Sequence, residues 1–161
     1  MSHRPLYIDE RLSWRLAGSL RDRGRNAQAW KELGNGSLKD PKVIPKVIKQ
    51  MGREVVFITY DNSLPEEHAS LVAGEDVTLA VIAPYDEKKK AWQSYSNVAV
   101  QEAWKRDIVQ RWAHRMQDQK QGSILRYALG NWGVWTPPRT KPSRGRQAGE
   151  QETVLATKKA A

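Results

Sequence analysis

Asp9, Asp40 and Asp61 are the residues whose placement first suggests chemistry. Asp9 closes the short apolar run Leu6-Tyr7-Ile8, and Asp61 closes Val55-Val56-Phe57-Ile58-Thr59-Tyr60. Asp40 stands immediately before Pro41, at the start of a helical stretch. Ligands of open α/β sheets bind beyond the carboxyl ends of the strands. Carboxylates gathered there make an all-oxygen site that suits Mg²⁺ or Mn²⁺. A hard divalent cation beside a basic surface points to phosphodiester chemistry. Each aspartate also has a plainer use. Asp9 fits a cap on the following helix, Asp40 an N-cap before Pro41, and Asp61 a turn residue in Asp61-Asn62-Ser63. The combination argues for a site, because three converging carboxylates repel one another unless a cation is bound.

The elements that must position these residues follow from periodicity. Leu6–Ile8 reads as a buried strand. Leu12, Leu16 and Leu20 recur every four residues, which predicts a helix with one apolar stripe and Gly24 at its C-terminal cap. Ala27–Trp30 reads as a second short strand, and Gly34-Asn35-Gly36-Ser37 as a loop. Asp40-Pro41 opens a helix carrying Val43, Ile44, Val47, Ile48 and Met51, with Pro45 removing one backbone donor and Gly52 ending it. Val55–Tyr60 is the clearest strand, and its lack of alternation fits a central strand covered on both faces. A short helix over Pro65–Val72 and a buried strand over Val77–Ala83 follow. Strands alternating with helices predict an α/β fold: a Rossmann-like three-layer sandwich around a central parallel sheet with right-handed crossovers.

From Ala91 to about Lys120 the pattern is helical, with a place for a break at Ser96-Asn97 and a four-residue ladder of Trp104, Ile108, Trp112 and Met116. That spacing assigns the ladder's tryptophans to packing ahead of base stacking. Ser123–Leu129 fits either a last strand or a helical extension. Trp132 and Trp135 are expected to anchor the end of a domain spanning residues 1–135. Residues 136–161, rich in Pro, Gly, Arg, Lys and Gln, are expected to be a disordered basic tail.

The chain's 161 residues suit one domain plus that tail, and the net charge of +9 makes nucleic acid the first candidate partner. The charge is distributed, with +4 on residues 136–161 and +5 on residues 1–135. Cysteine is absent, so disulfides and thiolate metal sites are excluded, which is compatible with a reducing cytoplasm. Met1-Ser2-His3-Arg4-Pro5 leads straight into a strand-like run, unlike a signal peptide, and no apolar stretch is long enough to span a bilayer. A cytoplasmic protein without a membrane partner is therefore expected. No glycine-rich phosphate loop of Walker or dinucleotide type is present.

Tyr7-Ile8-Asp9-Glu10-Arg11-Leu12-Ser13-Trp14-Arg15-Leu16-Ala17-Gly18-Ser19-Leu20-Arg21-Asp22-Arg23-Gly24 resembles the opening of PIN-like domains. There an Asp-Glu-x-Leu-Ser element precedes a Leu-Ala/Leu-Arg helix that ends in Gly. Lys39-Asp40-Pro41-Lys42-Val43-Ile44 resembles the family's second acidic helix start, and Val55–Asp61 its apolar strand ending in Thr-x-Asp. The resemblance covers roughly residues 6–85 and is closest to the toxin ribonucleases of the VapC type and their relatives. It implies an endoribonuclease dependent on Mg²⁺ or Mn²⁺, with RNA as substrate, a protein antitoxin as partner, and a homodimer as an open alternative.

By matched position, Asp9, Asp40 and Asp61 would ligate the metal and carry catalysis, with Thr59 in support. The family often places a fourth acid two residues after the last aspartate. Ser63 stands there instead, with Asn62, Glu66 or Glu67 as substitutes, so the resemblance also admits a non-cutting RNA- or protein-binding module. Arg15, Lys39, Lys88, Lys89 and Lys90 are the candidate phosphate contacts. His68 reads as a surface residue, and Glu10 would face away from the site if its strand continued.

Overall fold

Short runs of β-branched and aromatic residues alternate with amphipathic segments, and a computed structural model shows how they assemble. It describes residues 4–129 and the backbone of residues 134–135. In chain order the elements are β1 (Leu6–Ile8), α1 (Arg15–Asp22), β2 (Ala27–Ala29), α2 (Asp40–Met51), β3 (Val56–Thr59), α3 (Leu64–Glu67), α4 (Ala69–Glu75) and β4 (Thr78–Ile82). A small hairpin of β5 (Tyr85–Asp86) and β6 (Ala91–Trp92) follows. The chain then runs through α5 (Asn97–Trp104), a widened π-helical stretch (Lys105–Trp112) and α6 (Ala113–Gln117) into β7 (Ile124–Tyr127) and β8 (Val134–Trp135).

The main sheet has the order β2-β1-β3-β4-β7-β8, with every pairing parallel except the antiparallel β7–β8 pair. Successive strand residues face opposite sides, so each strand feeds two cores. Leu6 and Ile8 of β1 and Val56 and Ile58 of β3 pack with Leu16 and Leu20 of α1 and with Ile108, Trp112 and Met116. Tyr7 and Phe57 face the other way and pack with Val43, Ile44 and Val47 of α2, Leu64 of α3 and Val72 of α4. The fold is thus an α/β three-layer sandwich around a five-stranded parallel sheet, and the ladder residues Ile108, Trp112 and Met116 pack as their spacing predicts. The Trp104 side chain, Trp132 and the tail 136–161 lie outside the described residues.

Several expectations are corrected. Lys39, with φ −85° and ψ 155°, is the non-helical N-cap of α2, so Asp40 is a helical residue and not the cap. The expected helix over Pro65–Val72 is two short helices that meet at His68, whose φ of −123° interrupts the turn. Ala91–Trp92 is strand, not helix. The Asp86 carboxylate accepts the amide N–H groups of Lys88 (2.9 Å) and Lys89 (3.2 Å), and Trp92 packs edge-on against Tyr85. That turn chemistry overrides the weak helical periodicity, and the helix begins only at Asn97. Ser123–Leu129 contains strand β7, paired with β4 from Leu79↔Ile124 to Ile82↔Tyr127.

Candidate functional site

The sheet order reverses between β1 and β3: β2 lies on the outer side of β1, while β4 and β7 continue beyond β3. The crossover helices leave on opposite faces at this switch point and open a crevice at the carboxyl ends of the strands. A cleft of about 410 Å³ occupies that position. Asp9, Glu10 and Arg11 line it from the β1–α1 loop, and Thr59, Tyr60 and Asp61 from the end of β3. Leu38, Lys39 and Pro41 line it from the start of α2, and His68 from the α3–α4 junction.

Asp9 is buried, at 8% exposure, and its N–H donates to the Ile58 carbonyl at 3.0 Å, extending the β1–β3 register one residue past the strand. Its Oδ1 accepts the Glu10 N–H at 2.8 Å, and its carbonyl accepts the Leu12 N–H at 3.2 Å. The strand therefore ends in a tight turn, which cancels the alternation that would have sent Glu10 away. Glu10 faces the cleft instead, and its carboxylate accepts the Ser37 N–H from the β2–α2 loop.

Asp61 sits in a side-chain-closed turn. The Ser63 N–H (3.1 Å) and hydroxyl (2.9 Å) both donate to Asp61 Oδ1, and the Asp61 N–H donates to the Thr59 hydroxyl at 3.0 Å. Ser63, standing where the resembling family often has an acid, thus fixes the rotation of the Asp61 carboxylate. Asn62 holds the hairpin. Its amide N–H donates to the Trp92 carbonyl at 2.8 Å, and its side-chain oxygen accepts the Ser94 hydroxyl at 2.6 Å.

The cleft therefore unites Asp9, Thr59, Asp61 and Lys39 with the helix start at Asp40, whose side chain lies outside the described residues. Ser63 and Asn62 stand behind Asp61 and do not line the cleft. Arg15 lies on α1 against the Trp14 ring, and Lys88, Lys89 and Lys90 occupy the exposed hairpin turn. Neither group lines the cleft. Sequence reading missed Arg11, undervalued His68 and misdirected Glu10.

It also missed Arg126. This residue of β7 is 1% exposed, and its guanidinium donates to the Asn62 carbonyl at 3.0 Å and to Glu66 at 2.9 Å. The same group lies 4.6 Å from the centroid of the Trp92 ring. Burial pulls its pKa below the usual arginine value, with the Glu66 carboxylate opposing the shift. The signal was present in the sequence: an arginine inside the apolar run Ile124-Leu125-Arg126-Tyr127-Ala128 must find partners in the interior.

The donor chemistry of the cleft fits a hard divalent cation. Its described carboxylates offer oxygen only, and Mg²⁺ commonly takes one or two protein carboxylates while keeping several waters. Among the described residues, no three His, Cys, Asp or Glu side chains form a group able to hold an ion. The described acids are therefore not a closed cage. Among the described residues, no helix is long and apolar enough to cross a membrane. Compared with family models, curated proteins and solved structures, the chain matches none.

Proposed function

We propose that this chain is a PIN-like endoribonuclease dependent on Mg²⁺ or Mn²⁺, acting as the toxin of a toxin–antitoxin pair. The observation that carries the reading is the meeting of Asp9 and Asp61 in one cleft at the sheet's switch point, beside the helix start at Asp40. Asp9, Asp61 and Asp40 would hold the cation. When bound, it would supply an activated water and neutralise charge on the scissile phosphate. Thr59 and Ser63 hold the Asp61 turn in shape. Arg11 and Lys39, both exposed at the cleft, offer positive charge to the flanking phosphates. The antitoxin partner rests on the family resemblance alone.

A second reading is a PIN-like module that binds RNA without cutting it. It is favoured by Ser63, whose hydroxyl is engaged with Asp61 where an acid would have added a ligand.

Asp9→Asn separates the two. The amide keeps the oxygen that accepts the Glu10 N–H and removes one charge. Cleavage of structured RNAs in Mn²⁺ is expected to fall by more than about 100-fold, while RNA binding persists or tightens. Cleavage by the wild type that survives EDTA, or that the variant retains at full rate, removes the metal-nuclease reading. Metal-independent binding without cleavage by the wild type favours the second.

A further inference from the structure

Trp14 and Val98 are the exposed large hydrophobic residues among those described. A single exposed apolar residue is ordinary, but Trp14 does not stand alone. The Lys31 ammonium lies 4.6 Å and the Arg15 guanidinium 5.1 Å from the centroid of its ring. Lys31 follows β2 and Trp14 lies in the β1–α1 loop, so both leave the carboxyl edge of the sheet, the edge that carries the cleft. The same two loops reach the cleft itself, through Arg11 in one and Lys39 in the other. Trp14 lies three positions after Arg11, so their Cα atoms are no more than about 11 Å apart. The loop that carries Trp14 is tied to the segment after β2, because the Trp30 indole N–H donates to the carbonyl of buried Leu12 at 3.1 Å.

From this juxtaposition we infer that Trp14, with Lys31 and Arg15, forms a subsite that stacks an unpaired nucleobase and grips its flanking phosphates, delivering single-stranded RNA to the neighbouring cleft. In the free protein the two cations cover the Trp14 ring. Both sit on exposed flexible side chains, so a base that displaces them takes the aromatic face while they move to its flanking phosphates. The inference takes its choice of polymer from the nuclease reading, yet the subsite is tested without cleavage.

Fluorescence anisotropy in EDTA measures binding of a labelled single-stranded RNA, the same sequence as single-stranded DNA, and the RNA duplex. Trp14→Ala is expected to weaken single-stranded RNA binding about 5- to 150-fold, with the melting temperature shifted by less than about 3 °C. Trp14→Phe should restore most of the loss. Lys31→Ala and Arg15→Ala should each lower the salt slope by about 0.7. The duplex, whose bases are already stacked, should respond little to Trp14→Ala.

Equal binding of single-stranded RNA by Trp14→Ala and wild type overturns the subsite, even in a protein that cleaves RNA. An equal loss on the duplex overturns the stacking argument, and a loss confined to DNA overturns the assignment to RNA. A matching loss toward poly-glutamate would mark a surface for acidic protein and also overturn it. Loss of single-stranded RNA binding on Trp14→Ala in a protein that cuts nothing sustains the subsite and favours the non-cutting reading.

Discussion

Glu66 is more than half exposed, with 57% of its side-chain surface accessible, yet its removal is expected to destabilise the protein as a core mutation would. Its carboxylate receives the Arg126 guanidinium at 2.9 and 3.2 Å. Arg126 is 1% exposed, and its Nε has no hydrogen-bond partner among the described residues. Ordinary surface substitutions change stability by no more than about 0.5 kcal/mol. A hydrogen bond to a charged group contributes about 1.5–3 kcal/mol, and stranding its buried partner sets the cost toward the upper end. Glu66→Ala should therefore cost about 2–3 kcal/mol, or about 4–10 °C in melting temperature for a domain of this size.

Arg126→Met acts in the opposite sense on burial. It removes the buried charge, keeps much of the volume, and leaves behind a carboxylate that water can reach, so about 1–2 kcal/mol is expected. The double variant should be more stable than the sum of the single losses by about 1–2 kcal/mol, because the second change removes the charge that the first one strands. Urea and thermal unfolding of the four proteins, followed by tryptophan fluorescence, measures the cycle. A Glu66→Ala penalty below 0.5 kcal/mol, or strict additivity, would refute this reasoning. Arg126 also holds the carbonyl of Asn62, next to Asp61, so the same variants should disturb the cleft.

Two further outcomes follow from local geometry. Gly122 has φ +80°, and a Cβ there would meet Asp76 Oδ1 at 2.2 Å. Gly122→Ala should cost at least about 1 kcal/mol from the left-handed backbone alone, read by denaturant unfolding. Glu32 accepts from Arg21 at 2.6 Å, and this pair holds its carboxyl below the usual range. A depressed folded pKa gives stability that is present above the unfolded value near about 4.3 and lost as pH falls through the lower folded value. Because both partners are partly exposed, the Glu32→Gln penalty should be only about 0.2–1 kcal/mol at neutral pH. Unfolding midpoints across pH should show it fade in acid, and an unchanged penalty at about pH 2 contradicts the assignment.

The fold class was legible in the sequence because its signals are local. The unbroken run Val55–Tyr60 can be satisfied only between two helical layers, and it lies buried in the sheet's interior. The four-residue spacing of Leu12, Leu16 and Leu20 marks one apolar stripe, and all three are buried in one core, but only Leu16 and Leu20 are helical, Leu12 lying in the turn before α1. Asp9 and Asp61 were legible as strand-end acids for the same reason. Local signals failed where two of them competed. Around Ala91–Trp92, turn chemistry at Asp86 won over helical periodicity, and at Glu10 an early strand end cancelled the alternation.

By itself, then, the sequence determined most of the strands and helices from β1 to β4 and the faces they bury, because hydrophobic period and turn chemistry act over a few residues. Beyond Ala83 it misread β6 as helix and left β7 unassigned. Tertiary structure alone decided the order β2-β1-β3-β4-β7, which makes the ends of β1 and β3 neighbours at a switch point. It also brought His68 to the cleft of Asp9, drew Arg126 inward to Glu66, and set Lys31 over the ring of Trp14. Those pairs are separated by 17 to 60 residues in the chain. No local pattern encodes them, and they form only once the sheet has chosen its neighbours.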